Sequence, residues 1–332
     1  MWGRLAWLGR LFRTSEWYDT KLPLLLLVAY QSLLAGHSGA VGAGMLARAA
    51  LYGAALLAFG YLINDLADTA VDRMAGKRRA MDGIARWLAW LICGIVAAVA
   101  ALALRPSWGR PLVLILLALS LGLAAAYSLP PLRLKERGWL GLLTAAAAQR
   151  TVPGLTVAAF LGHLDWGIAW MGAIFLLMGL RYILLHQIMD AEHDRCARVR
   201  TYALAVGSVA RLAATLNRIY LLELAALAAL PFILGPACWW LGLVIWPYAL
   251  YGLLRGRQEA RRSGLWHPVS YEGMPLQTLY CIAWPLGLVA AIIVAQPACW
   301  PLLAVEGLWK YRLWQPIIVT RLQPIWGRYR RG

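Results

Sequence analysis

The chain has 332 residues, of which 61% are hydrophobic and only 14% charged, and its formal net charge is +17. Apolar runs of about twenty residues recur along it, which argues against a water-soluble globule and for a polytopic bundle of membrane-spanning helices. The surplus of Lys and Arg does not call for a nucleic-acid partner, because a basic bias in the loops on one side of a membrane gives the same total.

Met1–Arg13 lacks the long apolar core and small-residue cleavage site of a secretory signal. It reads as an amphipathic basic helix on the membrane surface, and residues 1–17 are set apart as an interfacial segment. Apolar patterning then predicts nine crossings, at 18–36, 44–64, 86–104, 111–128, 139–162, 167–189, 212–234, 237–254 and 277–296. No polar linker interrupts them, so residues 18–296 are expected to form one all-α integral membrane domain.

The connections alternate in charge. One set carries Arg4, Arg10, Arg13 and Lys21; Arg73, Lys77, Arg78, Arg79 and Arg86; Arg133, Lys135 and Arg137; Arg195, Arg198, Arg200 and Arg211; and Arg255, Arg257, Arg261 and Arg262. These are 20 of the 32 Lys and Arg residues, whereas the opposite connections hold only Arg105 and Arg110. Positive loops stay inside, which places the N-terminus and the basic connections in the cytoplasm, with a bacterial inner membrane as the expected location.

Residues 297–332 form a basic, Trp-rich tail. After a ninth crossing it belongs outside, yet it carries Lys310, Arg312, Arg321, Arg328, Arg330 and Arg331. Either those charges are tolerated there or 298–309 dips back into the bilayer.

The five cysteines make no CxxC pair and no zinc spacing. Cys93, Cys238 and Cys281 read as small hydrophobes. Cys238 and Cys299 share the context Pro-Ala-Cys-Trp and fall on the same outer side. A disulfide between them is chemically allowed in an oxidising space if their Cα atoms come within about 7 Å; two separate thiols are the plainer reading.

Chemistry concentrates in Gly60–Lys77. Asp65, Asp68 and Asp72 are offset by three and four residues, which puts them on one helical face with Asn64 beside them. Burial and mutual repulsion oppose ionisation of such a cluster at a membrane boundary. A hard divalent cation removes that cost, and an oxygen-only donor set suits Mg²⁺, which takes one or two carboxylates together with substrate phosphate oxygens. A solvated acidic helix end is the plain alternative.

A second acidic segment closes the sixth span. Asp190 and Asp194 are four apart, with His186 a turn earlier, and this pair emerges on the same side as the first. His186 is expected to be a hydrogen-bonded interior residue. Six of the 15 acidic residues lie in these two segments. Basic groups flank both: Lys77, Arg78 and Arg79 after the first, Arg195, Arg198 and Arg200 after the second, and Arg133, Lys135 and Arg137 in a third loop. A diphosphate held between metal ions and positive side chains fits the set, although membrane topology alone accounts for any single member.

Taken together, these features resemble the UbiA superfamily of intramembrane prenyltransferases. Its NDxxDxxxD motif is matched by Asn64, Asp65, Asp68 and Asp72, and its DxxxD motif by Asp190 and Asp194. Its YSxPPLRLKxRG feature is matched by Tyr127, Ser128, Pro130, Pro131, Leu132, Arg133, Leu134, Lys135, Arg137 and Gly138. The chain departs after the second motif, where Arg198 stands in place of a usual Gly, while Thr201 keeps the last position.

The resemblance implies a bundle of about nine helices around a central cavity with cytoplasmic cap loops. It also implies Mg²⁺-dependent transfer from a polyprenyl diphosphate to an aromatic or quinone-type acceptor. On this reading Asn64, Asp68 and Asp72 belong to one metal site and Asp190 and Asp194 to another. Asp65, Lys77, Arg78, Tyr127, Arg133, Lys135 and Arg198 serve substrate binding. Terpene cyclisation and glycosyl transfer from a diphosphate sugar to a lipid phosphate share these motifs. A cation transporter or scaffold would place the acids at mid-membrane depth, whereas these lie at helix ends.

Overall fold

The computed structural model describes residues 2–36, 42–74, 79–196, 199–263 and 276–310, and among them there are helices and no strands. In chain order the α-helices are α1 (Trp2–Leu11), α2 (Leu22–Gly36), α3 (Gly42–Met74), α4 (Arg86–Ala103) and α5 (Pro111–Ser128). They continue as α6 (Trp139–Ala146), α7 (Val152–Leu161), α8 (Trp166–Met189), α9 (Ala191–Cys196) and α10 (Tyr202–Val206). The series ends with α11 (Val209–Ile233), α12 (Leu241–Ser263), α13 (Trp284–Ala295) and α14 (Pro301–Trp309).

Every expected span falls on a helical segment. The span at 139–162 is α6 and α7 joined through a π-helical stretch, Ala147–Thr151, and the last runs from a second such stretch, Leu279–Ala283, into α13. Both stretches end two residues before a proline, Pro153 and Pro285. A proline withholds an N–H from the helix ladder, and a wider turn absorbs the local mismatch. Five helical segments, Gly42–Thr69, α4, α5, α8 and α11, are each long and apolar enough to cross a membrane. The chain is a multi-pass integral membrane protein.

Position in the bundle follows from which faces are covered. The apolar windows of α3 and α8 are 61% buried, while those of α4 and α5 are only 22% buried. Trp87, Leu91, Ile95, Leu112 and Ile115 are exposed on the latter pair. Such apolar faces belong against lipid, so α4 and α5 are peripheral and α3 and α8 central. The strongest packing is α8 on α11 and α3 on α4. Helix ends are marked by local chemistry: the Asp165 side chain accepts from Ile168 N at 2.8 Å to cap α8, and Gly162, at φ +80°, closes α7.

Two expectations change, and two alternatives left open are resolved. The N-terminal segment is helical over Trp2–Leu11, but its end is built into the bundle, with Leu11 and Trp17 buried. Helix α3 runs ten residues past the expected limit of 64, so the first acidic motif sits on its last turns, helical as its spacing predicts. In the tail, α14 packs on α13, and Trp309 at its end stacks on Tyr18 just before α2, with ring centroids 5.4 Å apart. The chain has therefore turned back toward the end of the bundle where the basic connections gather, as the dipping alternative requires. Finally, Cys238 and Cys299 are free thiols in separate 3-10 turns, Pro236–Cys238 and Pro297–Cys299. Cys238 Sγ faces Gln31 and Cys299 Sγ faces Gln296, so each turn presents its sulfur to its own neighbour.

Candidate functional site

Asn64, Asp65, Asp68 and Asp72 line one face of α3, and each meets a group from elsewhere in the chain. Asp65 is 3% exposed; it accepts from Arg13 Nη1 at 3.1 Å and lies 3.9 Å from Arg79 Nε. Asp72, also buried, accepts from Arg79 Nε at 2.7 Å. Asp68 receives Arg133 Nη2 at 3.0 Å on one oxygen and Lys135 Nζ on the other. Lys135 Nζ also donates to Asn64 Oδ1 at 3.2 Å, an oxygen shared with the Ser128 hydroxyl at 3.2 Å. Three carboxylates so close together would repel, and each is met by a cationic side chain that offsets part of that repulsion.

The loop between α5 and α6 delivers Arg133 and Lys135 by a specific backbone path. Arg133 has φ +38°, and its N–H donates to Leu129 O at 2.8 Å. Arg13, at φ +49°, is the only other non-glycine residue with positive φ among those described. A side chain held in this region costs about 1–3 kcal/mol, and both arginines so held end on the acidic face of α3. Gly141 lets the loop lie against α6, since a Cβ there would stand 2.8 Å from Leu134 O and 2.9 Å from Lys135 O. Burial depresses the Lys135 ammonium against the opposing pull of Asp68. For Arg133, burial is outweighed by Glu136 and Asp68, which hold the guanidinium above its ordinary value.

The second acidic segment is not one continuous helix. Helix α8 stops at Met189, Asp190 is its C-cap at φ −90° and ψ 3°, and Asp194 lies in the short helix α9. A helical bond spans the break, from Asp194 N to Asp190 O at 2.8 Å, so the two residues stay one turn apart. His186 is 57% exposed and 3.5 Å from Asp190, so it is a surface residue and not an interior one. Tyr127 lies within electrostatic reach of both Asp68 and Asp194, one from each acidic motif. Thr201 is buried at the N-cap of α10. Lys77, Arg78 and Arg198 lie outside the described residues.

Several residues of this region escaped the sequence reading of the site. Arg13 reaches the motif from the N-terminal segment, which the sequence reading kept apart from the site. Arg150, Arg181 and Glu223 are buried inside predicted spans, and a charged residue within an apolar run was the available signal. Glu223 accepts from Arg181 Nε at 2.5 Å, from Arg181 Nη2 at 2.9 Å and from the Tyr280 hydroxyl at 2.7 Å, tying α8, α11 and the start of the last span together.

Among the described residues no three His, Cys, Asp or Glu side chains converge into a metal cage. The donor set nonetheless fits a hard cation: it is all oxygen, and such an ion needs only one or two carboxylates when phosphate oxygens complete its shell.

A profile of the UbiA prenyltransferase family matches residues 24–269, well over half of the chain. The chain belongs to this family. Among curated relatives of this UbiA-family chain, a lycopene elongase/hydratase from Corynebacterium glutamicum is 28% identical over 197 residues, covering 57% of the chain and 65% of the relative. A chloroplastic chlorophyll synthase from Oryza sativa subsp. japonica is 28% identical over 85 residues, covering 26% of the chain and 23% of the relative. The matches thus span less than two thirds of either relative's length. A UbiA homolog from Archaeoglobus fulgidus, solved with GPP and Mg²⁺, superposes with a TM-score of 0.66 at 18% identity, covering 86% of the chain and 98% of the homolog. A digeranylgeranylglyceryl phosphate synthase structure gives 0.66 at 13% identity, covering 87% of the chain and 99% of the synthase. These two superpositions establish a shared fold.

Proposed function

We propose that this protein transfers a prenyl group from a polyprenyl diphosphate to an aromatic or quinone-type acceptor within the membrane. The observation that carries the reading is the convergence of Arg133 and Lys135 on Asp68, beside Asn64. The GPP and Mg²⁺ in the A. fulgidus homolog support it. Asn64, Asp68 and Asp72 would hold one divalent ion, Mg²⁺, and Asp190 and Asp194 a second, with Asp65 kept in place by Arg13 and Arg79. When bound, the ions neutralise the leaving diphosphate. Lys135 and Arg133 bind and orient the same phosphate oxygens, and Lys77, Arg78 and Arg198 add positive charge around them.

The allylic C–O bond breaks with its electron pair leaving on the diphosphate. A nucleophilic carbon of the acceptor then forms the new C–C bond and gives up a proton. Tyr127 supplies an aromatic ring that could stabilise the allylic cation, and enclosure among apolar helices would exclude water that captures it. The basic connections, and with them the diphosphate site, face the cytoplasm by the positive-inside rule.

The test is product analysis by mass spectrometry. Purified protein is supplied with Mg²⁺, a panel of prenyl diphosphates and a panel of phenolic acids and quinols. A prenylated acceptor is expected, abolished by EDTA and restored by Mg²⁺. Donor consumption that yields a cyclised hydrocarbon, or no consumption of any donor, overturns the reading.

A further inference from the structure

Helix α12 has one face that changes character once along its length. Leu243, Trp246, Leu250 and Leu254 are all exposed, and their spacings of three and four put them on one side of the helix. In a membrane-spanning bundle such an apolar stripe lies against acyl chains. The same register continues into Arg257 and Arg261, both exposed. With Leu254, Gln258 and Arg262 they line a cleft of about 380 Å³. Glu259 is the one carboxylate of this stretch; it is half-buried and, two residues off the stripe, falls on the opposite side of the helix.

The change falls at the depth where hydrocarbon ends. From Leu241, the first residue of α12, to Arg257 the helix rises about 24 Å. Trp239, exposed just before the helix, marks the opposite boundary. A hydrocarbon layer about 30 Å thick therefore gives way to headgroups around Arg257 and Arg261. Just before them α12 is tied to α11: the Tyr220 hydroxyl donates to Gly252 O at 3.0 Å, and a Cβ at Gly252 would stand 2.8 Å from that hydroxyl. The arginines thus extend from an anchored helix. Membrane topology asks for positive charge on this side, but any arrangement of it would serve. Arg13, Arg79 and Arg133, on the same side, are turned onto carboxylates of α3. Arg257 and Arg261 are instead set in line with the lipid-facing stripe.

We propose that Leu254, Arg257, Gln258, Arg261 and Arg262 form a binding site for the headgroup of an anionic phospholipid, with its acyl chains along Leu250 and Leu254. A guanidinium fork matches two oxygens of a phosphodiester, and Gln258 adds an amide donor. A zwitterionic headgroup offers the same phosphate but brings an ammonium among the arginines, so the site selects for net negative charge. None of these residues belongs to the acidic motifs or to the loop between α5 and α6, so the site stands independently of the reaction.

The test is native mass spectrometry of the purified full-length protein in detergent, titrated with phosphatidylglycerol or with phosphatidylcholine of the same acyl chains. Phosphatidylglycerol is expected to bind at least about tenfold tighter. Arg257→Gln with Arg261→Gln should remove that preference. Arg86→Gln with Arg137→Gln, an equal loss of charge from other connections on the same side, should keep it. All four side chains are exposed, so unfolding temperatures should move by no more than a few degrees. Should the first double variant fail to insert, Arg257→Lys with Arg261→Lys keeps the topogenic charge and should still lower the preference about threefold or more, through loss of the guanidinium fork. Equal binding of the two lipids overturns the proposal. An equal loss of preference in both Gln double variants overturns it too, because it assigns the effect to diffuse charge. Displacement of bound phosphatidylglycerol by Mg²⁺–pyrophosphate likewise overturns it, by handing the arginines to a diphosphate.

Discussion

Replacing Asp68 by Asn distinguishes a metal site on α3 from an internal ion-pair cluster. In the structure the carboxylate is the common end point of Lys135 Nζ and of Arg133 Nη2, the latter at 3.0 Å. Side-chain exposure is 16% for Asp68, 11% for Lys135 and 20% for Arg133, so solvent partly screens both contacts. A hydrogen bond to a charged group contributes about 1.5–3 kcal/mol. With partial screening, and with the Asn carbonyl still accepting one donor, the loss of stability should be about 1–2 kcal/mol. The variant should fold and unfold only a few degrees earlier. Turnover should fall much further, because losing about 4 kcal/mol of transition-state stabilisation at a metal-assisted ionisation is about a thousandfold in rate. Pyrophosphate release from a prenyl diphosphate, titrated with Mg²⁺, reads the rate, and thermal unfolding in the same detergent reads the stability. Turnover within tenfold of the wild type would refute the metal role.

Arg133→Ala and Lys135→Ala should each raise KM for the donor while leaving that for the acceptor near its wild-type value, measured by varying one substrate at a time; the reverse pattern means the cap loop has been misassigned. Glu223→Gln leaves the wholly buried Arg181 guanidinium without its counter-charge and should cost about 3–5 kcal/mol in denaturant titration, whereas Arg181→Met with Glu223→Met should recover most of it. A double variant as unstable as the single one contradicts this. Gly141→Ala pushes a methyl group into Leu134 O and Lys135 O and should lower turnover through displacement of Lys135, read as a higher donor KM. Mass spectrometry after thiol alkylation should find both Cys238 and Cys299 labelled without reductant; protection of both that reductant lifts would restore the disulfide.

What was legible in the sequence was whatever is encoded by spacing. Offsets of three and four placed Asp65, Asp68 and Asp72 on one face, and continuous apolar runs located helical segments, because both depend on local pattern alone. Long-range partners were not legible. Arg133 and Lys135 reach Asp68 from 65 and 67 residues away, and Arg13 reaches Asp65 from 52. The break at Asp190 was missed because a four-residue spacing is the same whether or not the helix continues. The exposure of His186 was missed because periodicity does not say which face of a helix end is covered. Arg150 was visible as a charge in an apolar run, but its burial is a property of three dimensions.

The contact between Tyr18 and Trp309 has a consequence for the order of biosynthesis. The Tyr18 hydroxyl donates to Trp309 O at 3.0 Å, and Trp309 Nε1 donates back to Tyr18 O at 3.0 Å. Further into the bundle, the buried Tyr30 hydroxyl donates to Glu306 Oε1 at 2.6 Å. The first long apolar helix among the described residues, α2, is thus finished by almost the last ten of them. Until α14 is made, the Tyr30 hydroxyl stands in apolar surroundings without its acceptor, an arrangement that costs free energy in lipid. A nascent chain that has not yet reached Pro301 therefore carries an open seam along α2.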